Sequence, residues 1–344
     1  MNKPISDGHP LPLSVLLVTN TFPTADEPGA TPCVRDQVEA LRAACGVQVD
    51  VLHIDRRRKS NYLWAALRLL RMNMGQRRYD LVHAHYGHSG FVAWLQRRVP
   101  LVVTFHGCDL LSPREGALGR WLARRVAGVI VMSEQMKRVS GRSDAEVIPF
   151  GVDTGSFYPV AKAAARSRLG LAQDQRYVLF PYDPQRPVKR FDVLTATVER
   201  LAAQGEPVEI LTVHGQSRER MRDFMNAADL MVLTSDREGS PMAVREALVC
   251  GLPVVSVDVG DVAELLRGVD GCALARQDPA DLARQIRLVL ARDLRLPAVV
   301  HARRLDAAAA ARQVHALYRR LAPAGRWIGN PSHPECPDWL GKGR

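Results

Sequence analysis

The chain has 344 residues, 47% of them hydrophobic and 24% charged, so it can bury a large core, and its length favours two domains of ordinary size. No apolar run approaches the ~18 residues of a membrane span, and the early run LPLSVLLV lacks the basic flank and small-residue cleavage site of a signal peptide, which points to a first buried strand in a cytoplasmic protein. The net charge of +11 fits nucleic acid, anionic lipid or phosphorylated substrates equally, while six scattered cysteines (Cys33, Cys45, Cys108, Cys250, Cys272, Cys336), with no C-x-x-C, argue against zinc and disulfides.

In chain order, short β-branched runs alternate with helical patterns. The runs are SVLLV (14–18), VQVDVLHI (47–54), DLVHAH (80–85), PLVVTF (100–105), GVIVM (128–132) and EVIPF (146–150). Between the first two, Val34, Val38, Leu41 and Cys45 recur at helical spacing. Residues 56–78 carry eight basic residues and no acidic one, with Leu63, Leu67 and Leu70 at helical spacing beside Trp64. That pattern suits either a helix lying on anionic lipid or one packed on the sheet with its arginines in solvent. His83, His85 and His88 sit at a strand end without a matching carboxylate or cysteine cluster, and are read as structural or supporting. Strand-helix alternation of this kind predicts a parallel sheet covered on both faces.

After a polar, Ala-rich joint the rhythm restarts with YVLFP (177–181), PVEILTV (207–213), DLMVLTS (229–235), PVVSVDV (253–259) and GCALA (271–275). The expected architecture is α/β: two Rossmann-like doubly wound parallel-sheet domains facing across a cleft, over residues 1–160 and 161–322. A Pro- and Gly-rich tail fills 323–344. Ligands of such sheets bind beyond the carboxyl ends of the strands. The strand order is not readable.

In EGSPMAVRE, Ser240 and Pro241 predict a helix start, serine capping the free amides and proline taking the first helical position. The free N–H groups there form an anion site, and Gly239 lets a phosphate approach the backbone. Glu238 precedes this site, and Glu246 lies about one and a half turns into the helix. A helix amino end between two carboxylates suits a nucleotide-sugar, with Glu246 holding the ribose and Glu238 facing the sugar. On spacing alone, a solvated helix residue and a loop charge explain the pair as well.

EGSPMAVRE resembles the E-x7-E motif of retaining nucleotide-sugar glycosyltransferases of glycosyltransferase family 4, which have the GT-B fold. So do TFPTADEPGATPCVRDQVEAL, VVTFHGCDL (102–110), VIPFGVDTGSFYP (147–159) and PQRPVKRFDVL (184–194), and the likeness spans roughly residues 13 to 322. It implies sugar transfer from a UDP- or GDP-type donor to a glycan or lipid-linked acceptor, in bacterial-type cell-surface polysaccharide synthesis. His106, Glu238, Lys189 and Arg186 are then catalytic, with Lys189 and Arg186 stabilising the departing diphosphate. Gly29, Gly239, Ser240, Pro241, Met242 and Glu246 bind the donor, and Asp109 is an acceptor-side candidate. Arg186 sits closer to the lysine than the usual family arginine, and Gly29 is followed by Ala where the family often has a second glycine.

With no Asp-x-Asp pair in the chain, no metal and no cofactor are expected. The resemblance also implies front-face attack with the leaving phosphate taking the acceptor proton, and no covalent nucleophile is evident in the sequence. About a dozen residues separate EILTV from MNAADL, so the second domain lacks a strand-helix unit that many relatives carry. Rival readings are a nucleotide-sugar epimerase or glycogen-phosphorylase-like enzyme on the same fold, and a non-catalytic GT-B-like binding subunit. Nucleic acid is not an expected partner, because the basic stretch lacks interleaved aromatics. An anionic membrane surface contacting residues 56–78 is, and it would place the protein on the inner face of the membrane.

Overall fold

The computed structural model describes residues 12–24, 31–72, 79–113, 115–297 and 305–322. Gly29, Cys336, residues 73–78 of the basic stretch and the tail 323–344 lie outside them. The first six strands are β1 (Ser14–Thr19), β2 (Gln48–His53), β3 (Leu81–His85), β4 (Leu101–Thr104), β5 (Gly128–Val131) and β6 (Glu146–Val147). They form a parallel sheet in the order β2-β1-β3-β4-β5-β6. A second parallel sheet, β11-β10-β9-β7-β8, contains β7 (Tyr177–Phe180), β8 (Glu209–Thr212), β9 (Leu230–Leu233), β10 (Val254–Val257) and β11 (Ala273–Ala275). All eleven expected strands are present.

Burial explains why they were readable. β3, β4, β5, β7, β9 and β10 are buried along their whole length, because helices cover both faces and every position must be apolar or paired. The edge strands β2 and β8 carry exposed residues among buried ones. Both sheets reverse direction of build in the same place, between β1 and β3 in the first and between β7 and β9 in the second. Such switch points open a crevice at the carboxyl ends of the strands.

Two features of the domain division differ from expectation. Ile148 and Phe150 belong to the first core, whereas Val152 and Phe157 belong to the second, so the chain crosses at Gly151 rather than near 160. The last helix, Ala307–Leu321, returns to the first domain. It packs on the helix Pro32–Cys45 and buries Ala311, Val314, Leu317 and Tyr318 in the first core. Its amphipathic stripe needed an apolar partner, and nothing local in the sequence names which domain supplies one. The two crossings are bonded together: Val152 N–H donates to Leu305 O at 2.6 Å, and Ala307 N–H donates to Val152 O at 3.1 Å. A Cβ on Gly151 would fall 2.4 Å from Ala307 Cα, so only glycine lets the strands approach this closely.

Candidate active site

The loops that follow β4 and β9 meet backbone to backbone. A Cβ on Gly239 would lie 2.2 Å from the His106 carbonyl oxygen, and one on Gly107 (φ +143°) would lie 3.3 Å from Gly239 N. A third loop joins them, since a Cβ on Gly260 (φ +63°) would stand 2.7 Å from Gly239 O. Gly239 therefore admits the facing domain's backbone, where a phosphate was expected. Gly239→Ala should lower turnover by about 10²-fold or more, because displacing the two loops by an ångström misaligns the groups they carry. Circular dichroism should show an intact fold. Parent-like turnover would mean the loops need not meet.

The helix Met242–Val249 begins one residue later than expected, with Pro241 at its N-cap and no side-chain cap. Ser240 is occupied elsewhere. Its hydroxyl donates to Asp261 Oδ2 at 2.9 Å and accepts from Arg245 Nε at 2.8 Å, and Arg245 is ion-paired to Asp261 with both side chains buried. Nothing local in the sequence signals this network. Arg245 and Asp261 are 16 positions apart, and burying a charge demands such a partner. With the serine drawn away, the first-turn amides of the helix have no side-chain acceptor among the described residues, as an anion site requires.

Lys189 ends a short 3-10 turn, Pro187–Lys189, after β7. Its Nζ lies 2.5 Å from Glu238 Oε1 and 3.8 Å from the centre of the Tyr182 ring, with the side chain only 7% exposed. Burial lowers the pKa of the ammonium, Glu238 counters this, and Arg186 lowers it further. Arg186 itself is exposed. The two loops are tied through backbone, with Thr234 Oγ1 donating to Lys189 O at 2.8 Å and Asp236 N–H donating to Val188 O at 2.9 Å.

Glu246 is half-buried rather than solvated. Burial pushes its carboxyl up to about 8, Arg218 opposes the rise, and Asp36 adds to it. Arg218 spans the cleft: it pairs with Asp36 of the first domain and with Asp153 at 3.1 Å.

Comparison with known proteins places this arrangement in a family. The profile described as Glycosyltransferase Family 4 matches residues 15–156, and that of Glycosyl transferases group 1 matches 192–292. A D-inositol 3-phosphate glycosyltransferase of Mycobacterium sp. (strain KMS) is 30% identical over 318 residues, covering 77% of this chain and 71% of that protein. The chain belongs to glycosyltransferase family 4. This family-4 chain is also 32% identical over 270 residues to a D-inositol 3-phosphate glycosyltransferase of Geodermatophilus obscurus, covering 62% of its own length but only 60% of that protein's. Its fold is GT-B, shared with sucrose-phosphate synthase of Thermosynechococcus elongatus at a TM-score of 0.73 and 21% identity, over 90% of this chain and 99% of the other.

On the first-domain side of the family-4 cleft, His106 follows β4 and is half-buried. It stacks on Tyr86 with 3.7 Å between ring centroids, and its Nε2 lies 3.1 Å from His85 Nδ1. Burial, and then the nearby His83, push its pKa down to about 3, so the ring is neutral. Asp109 does not face an acceptor. It is 4% exposed, and its carboxylate accepts the N–H groups of His106, Gly107 and Gly87 at 2.9–3.2 Å. Burial lifts it to about 6 against those bonds. Its role is to hold the turn that presents His106. His83 is fully buried between Tyr318 and Thr104, whereas His88 is exposed.

Proposed function

We propose that this protein transfers a glycosyl group, with retention, from a nucleoside diphosphate sugar to a glycan or lipid-linked acceptor in cell-surface polysaccharide synthesis. The observation that carries the reading is the pairing of buried Lys189 with half-buried Glu238 beside the uncapped start of the helix Met242–Val249, at a paired switch point. A buried ammonium and helix amides supply fixed positive charge for a departing diphosphate without a metal. Glu246 is taken to hold the ribose, Glu238 and His106 to flank the sugar, and Arg186 to reach the diphosphate from the rim. An Anabaena protein of the same fold, with a TM-score of 0.63 and 18% identity, has been solved with UDP-glucose, and a relative 32% identical over 215 residues is a putative teichuronic acid biosynthesis glycosyltransferase of Bacillus subtilis. The first supports a nucleotide-sugar donor and the second a polysaccharide product.

The test is a thermal-shift screen of UDP, GDP, ADP and dTDP, followed by product anomer assignment by NMR. One diphosphate should raise Tm, since a ligand that binds the folded state stabilises it by mass action, and the product should keep the donor's anomeric configuration. Absence of any shift would sink the reading. A stable glycosyl adduct on Glu238 would replace front-face attack by a covalent route, and sugar epimerised without acceptor would favour an epimerase.

The helix Ser60–Met72 supports membrane contact. Leu63 and Trp64 are each 63% exposed and Leu67 and Leu70 share their face, with Arg68 and Arg71 nearby. Among the described residues no helix is long and apolar enough to cross a membrane, so contact would be at the surface. The protein should sediment with vesicles containing anionic lipid and be released as salt rises, because attraction is screened over ~10 Å at ~0.1 M. Replacing Arg68, Arg71, Arg77 and Arg78 by Gln should weaken vesicle binding and leave nucleotide binding unchanged. Parent-like vesicle binding would make the stretch a solvated face.

A further inference from the structure

His85, the last residue of β3, is fully buried, and its Nδ1 faces Nε2 of His106 at 3.1 Å. Its own Nε2 is buried with no hydrogen-bond partner among the described residues. Phe150 stacks on the His85 ring at 5.9 Å between centroids and lies 5.1 Å from that of His106. The adjacent His83 offers no help, since its two nitrogens are committed to the Tyr318 hydroxyl and to Thr104 Oγ1.

A neutral imidazole has one N–H and one bare nitrogen, so the His85–His106 axis holds a single proton. If His106 donated it, His85 would carry its proton on Nε2, leaving an orphaned N–H in an aromatic enclosure, which is the rarer defect in folded proteins. If His85 donates, the atom left over is a bare ring nitrogen. His106 then bears its proton on Nδ1, the reverse of the tautomer that free histidine favours.

We propose that His85 is a positioning residue for sugar transfer: its Nδ1–H donates to His106 Nε2 and holds His106 as the neutral Nδ1–H tautomer, a hydrogen-bond donor to the transferred sugar. The proposal rests on the reading of this cleft as a glycosyltransferase site. The chemistry suits that reaction. Positive charge develops at the anomeric carbon as the leaving group departs, and an uncharged donor can orient a sugar hydroxyl without repelling that charge.

The experiment is side-chain ¹⁵N NMR of the histidine-labelled full chain, with His106 assigned from its loss in His106→Gln. The expected pattern is a protonated Nδ1 and a bare Nε2 on His106. His85→Asn, whose amide N–H can stand near the lost Nδ1–H, should keep that pattern and near-parent turnover. His85→Leu should move His106 to the Nε2–H form and lower kcat roughly 10-fold with little change in donor KM. A parent His106 in the Nε2–H form, or an unchanged tautomer in a folded His85→Leu, overturns the lock even if the enzyme is active. The expected tautomer in a protein that turns over no nucleotide-sugar would instead overturn the transfer reading and with it the role given to that N–H.

Discussion

Replacing Lys189 by Ala lowers turnover at saturating donor by roughly 10²–10³-fold, the range seen when one preorganised charge-stabilising group is removed from a transition state. The ammonium sits in a nearly dry place between Glu238 and the Tyr182 ring, where each unit of charge acts more strongly than in water. In the ground state it is matched by Glu238, and as the diphosphate leaves it can be matched by a phosphate oxygen, so its contribution grows along the reaction. The substitution also leaves the Glu238 carboxylate without its cation, which lowers stability. Tm must therefore be measured beside kcat, and Lys189→Ala combined with Glu238→Gln should show strong non-additivity. A change confined to donor KM, with kcat intact, would deny Lys189 a part in leaving-group stabilisation.

Glu246→Gln should move stability and donor binding in opposite directions. Burial raises the carboxyl from its ordinary 4.5 to about 8, so between those values the folded state holds a proton that the unfolded chain has released. Stability then falls as pH rises through this window, and it levels off above about 8. Glutamine carries no such slope. The variant's Tm should match the parent's near pH 4.5, exceed it increasingly towards pH 8, and keep a constant lead above. Donor binding should follow the reverse course in the parent, strengthening up to about pH 8 as the ribose-accepting carboxylate forms. In the variant it should be weaker by roughly 10–100-fold at pH 8.5, the value of a hydrogen bond to a charged group. Calorimetry and thermal melts at pH 6 and 8.5 read both. Parent-like affinity of the variant at pH 8.5 would remove the ribose assignment, and absence of a Tm gain there would deny the raised carboxyl.

The sequence by itself determined the eleven strands, the two-domain α/β class and the positions of the two glutamates around the helix Met242–Val249. These are local quantities. A strand buried on both faces must be a short apolar run, and a helix start is written in adjacent residues. Tertiary structure decided everything that depends on residues far apart in the chain. Lys189 and Glu238 meet across 49 positions, His85 and His106 across 21, and Asp36 and Arg218 across 182. Ser240 looked like a cap because serine usually is one, yet the buried Arg245–Asp261 pair claims its hydroxyl, since a buried charge needs more hydrogen bonds than an exposed helix end does. Asp109, an acceptor-side candidate by sequence, turns inward because the N–H groups of His106 and Gly107 in its own turn, and of Gly87 at the start of the helix after β3, need an acceptor. The last helix joined the first domain for a similar reason: its apolar stripe specifies that it must be covered, and only the return of the chain at Asp306 decides by what.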